Sequence, residues 1–163
     1  MILVTPTGKD IFNPTSDNIR EVLKKDSEYW LDGCGQISLS KGKVEDSEIV
    51  LLVFRDKKHG FVVMNMDARK AVLGERQEKD LFAVLDDGGG MPLLIPLCCF
   101  VGEAQAEQVL LHFLETAECL NYENWHDIDE GYDSDDFVER FFDSCDFDKL
   151  FKVKNGKLEY WGE

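Results

Sequence analysis

Basic residues are scarce where this chain is most heavily charged. Residues 71–148 contain three, Arg76, Lys79 and Arg140, against twenty acids, a formal charge of −17. The first seventy residues hold eleven of each sign and the last fifteen return +2. So negative a surface argues against nucleic acid or an anionic membrane as direct partner, since both are polyanions. Long hydrophobic runs are missing too. None approaches the roughly 18–20 residues that span a bilayer, and the first twelve residues have no basic segment ahead of an apolar one, so no signal peptide is expected. The five cysteines form no CxxC pair, and two of them, Cys98 and Cys99, are adjacent in an apolar run. An odd, unevenly spaced set is poor material for a disulfide framework and suits a reducing compartment, so a cytoplasmic location is expected.

Signatures of common chemistry are absent as well. There is no G-x-S-x-G, no GxxxxGK[ST] and no GxGxxG. Gly88, Gly89 and Gly90 follow a strand, but Asp86 and Asp87 would repel a phosphate there, so a flexible loop is the reading. Asp127, Asp129, Gly131, Asp133 and Asp135 imitate the opening of a calcium loop. An EF-hand needs Gly at its sixth position and Glu at its twelfth, where this chain has Tyr132 and Val138. His59, His112 and His126 show no paired ligand spacing, and they read as surface or part-buried residues. Cys98 and Cys99 read as buried structural thiols. No metal, cofactor or catalytic residue is expected, and the chain is not expected to be an enzyme.

What is present is enough for one ordinary domain. The chain has 163 residues, 44% of them apolar and 11% aromatic. A length of this order buries roughly 70% of its extended surface without staples. We take 1–163 as a single domain, with 129–163 an extension of its core.

Local patterns outline the elements. Thr15 or Ser16 can cap a helix whose stripe is Ile19, Val22 and Leu23, ending near Lys25. Residues 48–55 and 61–66 form an apolar hairpin, residues 68–80 are a polar excursion, and residues 81–85 make a further strand. Residues 91–101 read as one apolar strand, which Pro96 confines to an edge or a bulge. Residues 102–118 are the clearest helix, with Val109, Leu110, Phe113 and Leu114 on one face. Residues 134–142 read as a second amphipathic helix. Asn155–Gly156 marks a closing hairpin. The predicted fold is α+β, a mainly antiparallel sheet with two helices packed on one face, plus a C-terminal helix and hairpin.

The densest charge lies in residues 127–148, with ten acids, one base and five aromatics. A block interleaved with aromatics suits a surface that meets something basic. The candidate partner-binding residues are Asp127, Asp129, Glu130, Tyr132, Asp133, Asp135 and Asp136, with Trp125, Asp86 and Asp87 beside them. Aromatic anchors and a strong field are common at fast, tight interfaces.

The order of elements adds a resemblance. A capped helix leads into a strand meander and then into the proline-bearing apolar stretch. Next comes a helix reading Gly102-Glu103-Ala104-x-Ala106-x-x-Val109-Leu110-x-x-Phe113-Leu114-x-Thr116, and a short loop delivers Trp125. This resembles the immunity proteins of bacterial polymorphic-toxin systems, particularly the family often encoded beside nucleic-acid deaminase and nuclease toxins. The similarity covers about residues 14–128 and is best over 92–125; residues 129–163 fall outside it. It implies inhibition of a cognate toxin domain, a basic protein bound in the cytosol. The alternative from composition alone is an acidic adaptor or scaffold for another basic protein. Neither reading specifies an oligomeric state.

Overall fold

The computed structural model describes residues 1–31, 35–86, 92–128, 149–155 and 157–161. Strands β1 (Ile2–Val4) and β2 (Asp10–Phe12) open the chain as a short hairpin. Helices α1 (Ser16–Leu23) and α2 (Ser27–Leu31) follow. Then come β3 (Gln36–Ser40), β4 (Val50–Asp56), β5 (Gly60–Asn65) and β6 (Lys70–Ala71). Next are β7 (Leu81–Asp86), β8 (Pro92–Pro96), a 3-10 turn (Leu97–Cys99) and helix α3 (Glu103–Thr116). The chain continues through β9 (His126–Asp127), β10 (Leu150–Lys154) and β11 (Lys157–Trp161).

The fold is α+β, but its strands divide between two sheets where one was predicted. Seven pair in the order β2-β1-β3-β4-β5-β6-β9 and four in the order β11-β10-β7-β8, antiparallel at every junction between described strands. The reason lies in β4 and β5. Their runs, VLLVF and FVVM, have no polar alternate positions, which is the pattern of strands covered on both faces. Leu51, Val53, Phe61 and Val63 join Ile37 and Leu39 against Ile19, Val22 and Leu23 of α1 and Ala106, Val109, Leu110 and Phe113 of α3. The alternate residues Phe54, Val62 and Met64 meet Ala83, Leu85 and Ile95 of the second sheet. Helices, first sheet and second sheet therefore stack as three layers. Phe82, Val84, Leu94, Phe151 and Leu158 form a further buried cluster on the other face of the second sheet.

The helix termini follow local chemistry. Thr15 caps α1 with its hydroxyl accepting from the Asn18 amide, and the Asn18 side chain accepts from the Thr15 amide at 2.9 Å. α3 begins after Gly102 and closes on Ala117 in the left-handed region (φ 60°), whose N–H donates to the Phe113 carbonyl at 2.8 Å. The α1 and α3 surfaces are tied by Arg20 Nε donating to Glu107 Oε1 at 2.7 Å. The hairpin at residues 150–161 forms as read, with Asn155 at φ 53° in its turn.

Two elements differ from the sequence reading, and one lies outside the described residues. β8 is an edge strand, as its prolines require, but it stops at Pro96. The polar excursion at 68–80 contains β6, two residues long and too short to show periodicity. The helix read over 134–142 lies outside the described residues. No helix among the described residues is long and apolar enough to cross a membrane.

Candidate functional site

Two features converge where the first sheet ends. The first is the root of the acidic segment. β9 pairs with β6 through Ala71↔His126 and Lys70↔Asp127, and the Ile128 amide donates to the Arg69 carbonyl at 3.0 Å. At the other end β10 enters the second sheet, with Leu150 opposite Ala83 and Phe151 opposite Phe82. The stretch between Ile128 and Lys149 thus departs from a paired strand of one sheet and returns to a paired strand of the other.

Of the residues read as partner-binding, Asp127 is exposed at this root. Asp86 is the last residue of β7. Asp87, Asp129, Glu130, Tyr132, Asp133, Asp135 and Asp136 lie outside the described residues. Trp125 requires a correction. It is only 7% exposed and belongs to the helix-side core, with Nε1 donating to the Leu120 carbonyl at 2.9 Å. Its ring is an internal support for the approach to β9 and gives a partner no aromatic surface. Apolar burial took this side chain because the 3-10 turn Tyr122–Asn124 delivers it into the cluster that holds Val109 of α3 and Val72. Tyr122 packs edge-on against it, ring centroids 5.3 Å apart. Its phenol is held above the ordinary value, first by burial and then by its interactions with Cys119 and Asp127.

The second feature is a trio that the linear sequence does not display. After β8 the 3-10 turn carries Cys98 and Cys99 between the two sheets, both thiols fully buried. Backbone contacts fix this turn on either side. The Gly74 amide donates to the Cys98 carbonyl at 2.7 Å, and Phe61 and Val101 exchange both backbone bonds at 2.9 and 2.8 Å. These approaches need glycine. A Cβ on Gly60, whose φ is +105°, would lie 2.6 Å from the Val101 oxygen, and one on Gly74 would collide with the Phe100 carbonyl.

His126 reaches the same place through strand register. Directly opposed residues of paired strands point to one side of a sheet. His126 stands opposite Ala71, and Ala71 opposite Met64. Met64 and Ala71 both face the inter-sheet cluster that holds Cys98 and Cys99. The two Sγ atoms are 3.9 Å apart, and one ligand atom from each of Cys98, Cys99 and His126 lies within 4.8 Å of the others. His126 is 7% exposed, so its reading as a surface or part-buried histidine is revised. The missed signal was the Cys-Cys pair itself. Its histidine partner is remote in sequence and is brought close only by β9 pairing.

Elsewhere, His59 sits at the β4–β5 turn, its ring 5.3 Å from that of Phe100 and its Nδ1 3.3 Å from Arg76 Nη1. Burial lowers its pKa below the ordinary 6.5, aided by Arg76 and Lys58 and opposed by Asp56. Burial raises the Cys119 thiol, against a hydrogen bond with Asn65 that lowers it.

No protein-family model, curated protein or solved structure matches this chain.

Proposed function

We propose that this protein is a toxin-neutralising immunity protein that binds a cognate, nucleic-acid-acting toxin domain through an acidic surface rooted at Asp127. One observation carries the reading: ten acids and one base are gathered into residues 127–148, and the described strands that flank this stretch, at Asp127 and from Leu150, are paired to the body. Charge spread for solubility would have no need of such concentration.

The mechanism is electrostatic occlusion. An enzyme acting on nucleic acid presents cations where the phosphates lie. Carboxylates of the acidic segment would occupy those cations and keep the substrate out. Their field also raises the association rate, by up to about a hundredfold or more over uncharged pairs at low salt. The inhibitor would act in the cytoplasm, before the toxin meets its substrate.

Affinity capture of the full chain from its native host identifies the basic protein retained. A toxin domain is the expected result, and another basic protein would turn the reading to the acidic adaptor. With the partner in hand, Asp133→Lys combined with Asp135→Lys should slow association about tenfold or more at low salt and flatten its salt dependence. If stopped-flow traces over a salt series are unchanged, the contact surface is elsewhere and the proposal fails.

A further inference from the structure

We infer that Cys98, Cys99 and His126 form a buried site for a thiophilic metal ion, and that the ion is Zn2+. The inference stands apart from the inhibitory reading, since no acidic residue takes part in it.

Geometry comes first. With the sulfurs 3.9 Å apart and all three ligand atoms within 4.8 Å of one another, some point lies within about 2.6 Å of each. Zinc bonds are about 2.3 Å to thiolate sulfur and about 2.0–2.1 Å to imidazole nitrogen, so adjustments of a few tenths of an ångström bring all three donors to bonding distance and leave the fourth tetrahedral position to a water or another ligand. Two tetrahedral thiolates would stand about 3.8 Å apart, close to the spacing observed.

Chemistry and burial then choose the ion. Thiolate and imidazole donors select zinc and copper(I) over magnesium, calcium or manganese. The cluster is walled by Phe54, Val62, Leu85, Leu97 and Phe100, all buried. Such surroundings penalise net charge. Two thiolates and a neutral imidazole cancel the charge of Zn2+, whereas Cu+ would leave a buried negative charge. Binding releases the two thiol protons to solvent, and the metal–sulfur bonds replace the S–H bonds without change of oxidation state.

The site has a structural role that follows from its position. β9 is two residues long and, among the described residues, forms two strand pairs at the end of the first sheet. An ion bridging His126 to the Leu97–Cys99 turn would fasten that short strand to both sheets, one residue before the exposed Asp127.

The test uses the reduced, chelator-treated full chain and Zn2+ alone, titrated against a chromophoric chelator. One equivalent should bind, and the thermal midpoint should rise about 5–10 °C at a hundredfold excess over Kd. Cys98→Ala with Cys99→Ala, and separately His126→Gln, should weaken binding on the order of a hundredfold or more. Cys119→Ala should leave it intact. X-ray absorption at the zinc edge of the unaltered protein should show a shell of two sulfurs with nitrogen, a readout that does not require the variants to fold. No stoichiometric binding, a four-sulfur shell, or full affinity in the double variant would overturn the site. A parallel Cu+ titration that saturates where Zn2+ does not would overturn the choice of ion.

Discussion

Alanine at position 74 should damage this protein far more than alanine at position 42, although both replace a glycine in a loop. The Gly74 Cβ would overlap the Phe100 carbonyl oxygen, 3.0 Å from its carbon and 3.4 Å from the Cys98 oxygen. All three are backbone atoms of the turn between the sheets, so no side chain can swing aside. Relief requires the 72–74 segment and the turn to separate, which strains the 2.7 Å bond from the Gly74 amide to Cys98. Overpacking of this kind costs about 1–3 kcal/mol. Weakening the hydrogen bond adds about 0.5–1.5 kcal/mol. The lower entropy of an unfolded chain carrying alanine returns about 0.4–1 kcal/mol. The net loss is about 0.5–4 kcal/mol, or a fall in Tm of roughly 1–16 °C for a chain of this size. At Gly42 the new methyl meets only Ser47 Oγ at an ordinary 3.7 Å, so the change should stay within about 0.5 kcal/mol. Urea denaturation and calorimetry on both variants measure the difference. Equal stabilities would refute the claim that the cysteine turn is locked by backbone contact.

Two further outcomes follow from polar groups held in or against the core. Because burial lowers the His59 pKa, the folded state favours the neutral ring. Its contribution to stability is therefore full above the ordinary 6.5 and is lost as pH falls through the folded value. His59→Gln should flatten the decline in Tm between about pH 7.5 and about pH 5 relative to the parent, and parallel melting curves over that range would contradict it. The two buried tryptophans should respond differently to phenylalanine. Trp125→Phe strips the Leu120 carbonyl of its donor and should cost about 1–3 kcal/mol. Trp30 Nε1 has no hydrogen-bond partner among the described residues. Trp30→Phe removes that unmatched donor and should cost less than Trp125→Phe in the same denaturation assay, and the reverse order would reject the assignment.

What the sequence determined by itself was local. Thr15 with Asn18 at the head of α1, the apolar stripe of α3, the Asn155 turn and the prolines of β8 each act within a few residues of themselves. Their consequences are legible from neighbouring residues alone. The apolar runs of β4 and β5 also announced strands, and their lack of alternation was a sign of double coverage that a one-sheet reading passed over. Only the tertiary structure decided what covers the second face. It placed Trp125 inside, and it brought His126 to Cys98 and Cys99. That last encounter depends on two strands of two residues each, β6 and β9, which carry no periodic signal. Their pairing is held by long-range closure of the chain and not by propensity, so local pattern had no means of revealing it.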